Sequence, residues 1–311
     1  MNVKIGKKKA GKDNAKLQSI FRSPQLMVML LPGIILLILF RYVPMTNIVI
    51  AFKDYNIFEG VWKSEWVGWE NFERLFRSPD FYRILRNTFL ISGYKIIFGF
   101  PIPIILAFML NEVKSMKFRK IAQNIYYLPY FLSWTIIAGL CLDVFALDGI
   151  INQIITLFGG EPISFLLSPG KFRLVLILSD IWKGAGWGSI IYLAALAGID
   201  PGLYEAARMD GASRLQQMKY ITLPEIVPTI LVMLIIRLSS VLDAGQDQIL
   251  MLYNAKVMDV ADIIDTYVYR MGISQMNYSF STAVGLFKSA VSAVFVLSAN
   301  YLARKKGGGI W

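Results

Sequence analysis

Six apolar stretches of about 20 residues each dominate this chain. They run roughly from Leu26 to Met45, Asn87 to Leu110, Ile125 to Phe145, Leu174 to Gly198, Ile226 to Gly245 and Thr282 to Leu302. A helix of about 20 residues crosses roughly 30 Å of hydrocarbon, and a spanning backbone has to satisfy its own polar groups. The set predicts an all-α polytopic membrane protein with six transmembrane helices. Charged residues are only 17% of the chain, against about 25% in soluble domains. The first stretch follows a basic leader but lacks a small-residue cleavage site. Arg41-Tyr42-Val43-Pro44 follows its apolar run, so it reads as a retained anchor.

Histidine is absent and Cys141 is the only cysteine among the 311 residues. That excludes an internal disulfide, a histidine-based metal site and a histidine-dependent triad. No stretch matches G-x-x-x-x-G-K-[ST], so the chain lacks a Walker-type nucleotide cradle. A membrane-embedded enzyme finds no recognised nucleophile arrangement.

Charge is distributed unevenly. Residues 1–24, the loop after the second span, the central segment and residues 304–311 hold 17 of the 32 basic residues and only six of the 21 acids. Their balance of +11 equals the net charge of the whole protein. The positive-inside rule then places both termini and the central segment in the cytoplasm. The leader reads as a topology and lipid signal rather than a nucleic-acid contact. The expected organisation is a leader (1–24), a first transmembrane helix (25–46), an external loop (47–86), a five-helix core (87–303) and a tail (304–311).

Within the first external loop, GWENFERLFRSPDFYRILRN is aromatic and amphipathic and predicts a helix along the interface, with Trp62, Trp66 and Trp69 as belt residues. The last external loop (246–281) carries Asp247, Asp259, Asp262 and Asp265. These lack calcium-loop spacing and read as a solvated acidic loop.

The central segment, EAARMDGASRLQQMKYITLPE, is polar where its flanks are apolar. Asp200 suits an N-cap, Pro201 a first helical position and Gly211 a left-handed stop. A second short helix from about Ser213 either ends at Pro224 or leads into the next span there. The first helix exposes Glu205 beside the small Ala206 and Ala207. These features suit close approach by another protein and pairing with a partner arginine. Helix geometry alone also fits an amphipathic loop lying on the bilayer.

The spacing E-A-A, three residues, G, nine residues, I-x-L-P is met by Glu205, Ala206, Ala207, Gly211, Ile221, Leu223 and Pro224. This resembles the EAA loop of permease subunits of binding-protein-dependent ABC importers. GWENFERLFRSPDFYRILRNTFLIS, YLPYFLSW, WKGAGWGSIIYLAALAGIDPGLYEAARMDGAS and the C-terminal TAVGLFKS and NYLARKKGGGIW extend the resemblance to the carbohydrate-uptake branch. Within it they are similar to lipoprotein-dependent permeases for complex oligosaccharides, common in Gram-positive bacteria. The resemblance implies a type I importer permease fold with a cytoplasmic coupling helix in the loop at 200–224. It implies an ATPase-docking role for the seven matched residues and for Asp210. It further implies a second, different permease chain, two copies of a cytoplasmic ATPase carrying ATP and Mg, an external binding lipoprotein, and a bacterial plasma membrane. No cofactor is expected on this chain.

Charges inside spans are costly, at least about 2.5 kcal/mol near mid-membrane. Arg237 falls near the middle of the fifth stretch. Asp180 and Lys183 stand beside Trp182 and Trp187 in the fourth, while Lys95, Asp243 and Lys288 occupy other outer halves. Asp180, Trp182, Lys183, Trp187, Arg237, Asp243 and Lys288 are candidates for a polar path, with rings for sugar faces and cations for an acidic sugar. For Lys95, Asp243 and Lys288, pairing within the bundle is the simpler account. Gly184 and Gly188, and Ala194 and Gly198, predict close helix packing. Pro101, Pro103 and Pro129 predict kinks. A peptide or amino-acid importer is the alternative cargo class. An ion-coupled transporter, using Asp180 and Asp243, is the alternative mechanism.

Overall fold

The computed structural model describes residues 24–304. The leader through residue 23 and the tail beyond Arg304 lie outside them, and the described chain divides at Gly68 into two units.

In the first unit, the first span is a 26-residue helix, Met27–Phe52. It leads into a two-stranded antiparallel hairpin, β1 (Lys53–Asp54) and β2 (Glu65–Trp66), with Lys53 opposite Trp66. Lys53 Nζ reaches the carbonyls of Trp62 and Ser64, each at 3.1 Å. Phe52 stacks on Trp66 with centroids 5.8 Å apart. Nothing in the sequence reading anticipated this hairpin.

The second unit begins at Trp69 and holds the other spans. These are the second (Pro79–Glu112), a bent third (Met116–Phe131 with Trp134–Val144), the fourth (Pro169–Ala197), the fifth (Arg214–Ser239) and the sixth (Tyr278–Tyr301). Ser-Pro pairs at 78–79 and 168–169 open the second and fourth, the serine extended and the proline at the first helical position. The second span therefore starts eight residues before Asn87. The expected interfacial helix is split: Glu70–Arg77 is a separate short helix and residues 79–86 are the first turns of the span. Leu75 of that short helix is buried in one cluster with Phe81, Ile84 and Phe280, so it docks on protein.

Proline accompanies three of the four widened turns among the described residues, the turn at Arg270–Ser274 being the exception. Wide, π-type turns at Ile38–Tyr42, Lys95–Gly99 and Met218–Thr222 each lie just before a proline: Pro44, Pro101 and Pro224. A proline lacks an N–H and its ring crowds the carbonyl four residues back. Widening the preceding turn relieves that clash without ending the helix. The third span breaks instead. Pro129 lies in a tight turn, Leu128–Phe131, and Ser133 caps a new helix by accepting from the Ile136 N–H at 3.3 Å. The two halves meet at 103°, so the continuous span expected over residues 125–145 is not formed.

The segment after the fifth span also departs from expectation. It is not a solvated acidic loop, because Val257, Ala261, Ile263, Ile264 and Asp262 are fully buried. Asp262 pairs with Arg270 at 2.5 Å, Asp265 with Lys288 at 2.7 Å and Asp259 with Arg83 at 2.7 Å. Asp247 alone of the four carboxylates stays exposed without a salt bridge among the described residues. Arg173 extends the network, donating to the Val260 carbonyl at 3.1 Å and to Asn87 Oδ1 at 2.8 Å. No group of three metal-ligating side chains occurs among the described residues.

Helix packing rests on the expected Gly188 and on Gly186, which was not anticipated. A Cβ on Gly186 would fall on the Tyr126 carbonyl, and one on Gly188 would sit 3.1 Å from Pro103 Cγ. The fourth span thus lies against the third and second at backbone distance. Gly184 has nothing within 4 Å and Gly198 meets only carbonyls of its own helix, while Ala194 is exposed. Gly186→Ala is expected to destabilise the protein by about 1–3 kcal/mol through overpacking. Gly184→Ala should stay within about 0.5 kcal/mol. Equal thermal unfolding of the two variants in detergent would refute this packing assignment.

Candidate functional site

Two constellations stand out, one at each end of the fifth span. Ahead of its start lies a nine-residue helix, Pro201–Met209. Asp200 Oδ1 accepts the Gly202 N–H at 2.9 Å, which caps the helix. At its far end Gly211 has φ +78°, and the Ala212 N–H returns to the Ala207 carbonyl at 2.9 Å. That left-handed stop favours glycine because it has no Cβ to clash. Ser213 and Gln216 then form a reciprocal capping box that starts the next helix. Pro224 does not end it, for the helix runs unbroken from Arg214 into the fifth span.

Glu205, Ala206, Asp210, Gly211, Leu223 and Pro224 are exposed and Ala207 is half-buried. Ile221 packs against the buried cluster of Tyr192, Leu196 and Ile226, so it ties the segment to the spans. Two residues missed in the sequence make a firmer tie. Tyr204 on the short helix and Thr222 at the base of the fifth span share a hydrogen bond of 2.9 Å between hydroxyls. Their 18-residue separation follows no local pattern that would reveal it.

At the other end of the fifth span, Arg237 lies two residues from the helix terminus, because the helix stops at Ser239. It therefore stands at the end of the helix rather than near its middle. Its guanidinium meets Asp180 Oδ2 at 3.3 Å, and Asp180 Oδ1 meets Lys95 Nζ at 3.2 Å. Lys95 also donates to the Ala244 carbonyl at 2.9 Å and to Gln248 Oε1 at 2.5 Å. A cavity of about 290 Å³, bounded by Gly184, Gly188, Met233 and Ser240, lies beside this group. A second of about 150 Å³ is lined by Lys95, Asp243 and Gly245. Asp180, Arg237 and Ser240 border both.

The remaining candidates lie apart from these cavities. Lys183 donates to the carbonyls of Tyr130 and Leu132 at the break of the third span. It also lies 5.3 Å from the Trp134 ring centroid. Trp187 stacks on Tyr130 at 4.6 Å, with the rings 5° from parallel. Trp182 lines a separate apolar hollow with Ile137, Cys141 and Leu178. Lys288 joins Asp243 at 2.6 Å to Asp265. Burial pushes the Asp265 carboxyl above the usual carboxylate range, while Lys288 acts against the rise. The structure thus brings Asp180, Arg237 and Asp243 to the cavities, with Lys95 and Ser240. It assigns Lys183 and Trp187 to the broken third span.

The pattern of a protein family described as the binding-protein-dependent transport system inner membrane component matches residues 99–307. The chain belongs to this family. The match takes in the broken third span, the Pro201–Met209 helix and the cavity residues Asp180, Arg237, Ser240 and Asp243, while Lys95 lies just ahead of it. Among relatives, protein LplB of Bacillus subtilis (strain 168) is 46% identical over 297 residues, 95% of this chain and 93% of its own. The polygalacturonan/rhamnogalacturonan transport system permease protein YteP of the same organism is 48% identical over 289 residues, 93% and 90% of the two chains. A chain from the crystal structure of a bacterial ABC transporter involved in the import of the acidic polysaccharide alginate superposes with a TM-score of 0.86 at 43% identity. It covers 94% of this chain and 99% of that one. A second structure of the alginate transporter, in complex with an alginate pentasaccharide-bound periplasmic protein, gives a TM-score of 0.87 at the same identity.

Type I importer permease architecture and membrane embedding follow from this membership. In this family member Lys183 acts as a cap on a broken span. Lys183→Met is expected to strand two carbonyls and to cost about 1–3 kcal/mol. A melting temperature equal to wild type in detergent would show that the cap is dispensable.

Proposed function

We propose that the chain forms half of the translocation path of an ABC importer for an oligosaccharide. Its partners would be a second, different permease chain, two copies of a cytoplasmic ATPase that bind ATP and Mg, and an external binding lipoprotein. Both termini and the Pro201–Met209 helix face the cytoplasm in this reading, which the concentration of basic residues supports. The relatives described for polygalacturonan/rhamnogalacturonan transport and alginate import support a sugar over a peptide or amino acid. They also favour a bacterial plasma membrane, of Gram-positive type by analogy with Bacillus subtilis.

The observation that carries the reading is the exposed helix around Glu205, hydrogen-bonded through Tyr204 to Thr222 at the base of the fifth span. Force applied there reaches a helix whose far end carries Arg237, beside the cavities. Glu205, Ala206, Ala207 and Asp210 would meet the ATPase, with Leu223 and Pro224 beside them and Ile221 holding the segment to its own spans. Gly211 sets the angle between the two helices. Closure of the ATPases on ATP would push this segment and turn the cavities outward to receive sugar, and hydrolysis would return them inward. Asp180, Arg237 and Asp243 would line the passage. Lys288 would hold Asp243, and Trp182, Lys183 and Trp187 would shape the surrounding walls.

Affinity capture on a C-terminal tag tests the docking role. Wild type should bring down an ATPase and a second permease, while Glu205→Arg should lose the ATPase and keep the permease. Gly211→Val puts a β-branched residue at φ +78° and should leave the ATPase bound but its hydrolysis unresponsive to loaded lipoprotein. Undiminished ATPase recovery with Glu205→Arg would remove the docking assignment.

A further inference from the structure

Asp180 is shared by two cations held very unequally. Lys95, with a side chain 4% exposed, is fixed by Asp180, by the Ala244 carbonyl and by Gln248. Gln248 is itself locked, its amide donating to the Leu176 carbonyl and to Ser179 Oγ, each at 2.7 Å. Gly245 completes the enclosure, since a side chain there would strike the Lys95 ammonium. Arg237 is different: 43% exposed, it meets Asp180 through a single nitrogen at 3.3 Å. The residue borders both cavities.

A guanidinium held by one nitrogen is under-used, because paired N–H donors match a carboxylate far better. A carboxylate arriving in the cavity can therefore compete with Asp180 for Arg237. In most buried ion pairs the displaced acid would be left with an uncompensated charge, which is prohibitive. Asp180 escapes that, because Lys95 keeps its contact through the other carboxylate oxygen. We propose that Arg237 is the recognition contact for a carboxylate of an acidic sugar and that Asp180 is its resident stand-in. Lys95 is the fixed counter-charge that makes the exchange reversible. Lys95 and Asp180 are positioning residues, since neither needs to touch the sugar. The exchange also parts the fourth span from the fifth at this level, so cargo binding loosens the helix that carries the cytoplasmic segment. This rests on the sugar-importer reading and adds the chemical class of its cargo.

The test is uptake of oligogalacturonates, compared with their neutral methyl esters, by vesicles holding the full assembly and its lipoprotein. Wild type is expected to favour the acids by about tenfold or more, as sites built for a polar group do. Arg237→Gln should collapse that ratio, and Arg237→Lys should restore it only in part. Asp180→Asn, which frees the fork, should lower KM for the acids. Lys95→Met leaves Asp180 no partner but Arg237 and should raise that KM. These opposite movements separate exchange from simple misfolding, which worsens transport in every variant. An unchanged ratio in Arg237→Gln, or a KM that rises in Asp180→Asn, overturns the exchange. Equal wild-type uptake of acids and esters also overturns it and leaves the importer reading standing. Uptake of neither, with ATP hydrolysis unstimulated by loaded lipoprotein, overturns both.

Discussion

A backbone carbonyl freed inside an apolar layer has no water to turn to, and that constraint organises this structure. Where the third span breaks, the Lys183 ammonium reaches in from the fourth to take the carbonyls of Tyr130 and Leu132. Past the end of the fifth span, Lys95 reaches in from the second to take the Ala244 carbonyl. Both cations sit where a helix presents its negative end. Each lysine is costly in an apolar surrounding until it finds oxygen, and each break is costly until it finds a donor. Setting one against the other settles both.

The same economy runs through the prolines. Three of them follow widened turns and leave their helices continuous, while Pro129 accompanies a bend of 103°. Pro101 and Pro224 differ from Pro129 in what surrounds them. Pro101 and Pro224 are embedded in helices that pack along the fourth span or its cluster, with Tyr192 and Ile226 nearby. Pro129 is followed by Leu132 and Ser133, whose extended backbone is supported by Lys183 and by the serine cap.

Local chemistry was legible in the sequence wherever it is short-ranged. Asp200, Pro201 and Gly211 mark out the short helix and its stop as they stand in the structure. Apolar runs locate five spans as single helices and a sixth as a bent pair, because length and composition alone decide whether a helix can cross. What the sequence concealed depends on distant partners. Asp265 looks like a solvated acid until Lys288, 23 residues further on, pairs with it. Gly186 is one small residue among several until Tyr126 lies against it. The Lys95–Asp180–Arg237 chain joins positions 85 and 57 residues apart on three helices, and no periodicity encodes such a meeting. Of the seven path candidates, Asp180, Arg237 and Asp243 border the cavities, Lys183 and Trp187 brace a neighbouring span, Trp182 lines an apolar hollow and Lys288 pairs with Asp243 and Asp265.

The unbroken passage from the capping box at Ser213 to Ser239 has a mechanical consequence. Its 26 residues make a rod of about 39 Å at 1.5 Å per residue. Tilting such a rod by about 5° about one end displaces the other by about 3 Å. A hydrogen-bonded contact tolerates only a few tenths of an ångström before it is lost. Small angular work at the base is thus enough to make or break the Arg237–Asp180 pair, so that under the proposed coupling the helix is a lever whose output is read by a single ion pair.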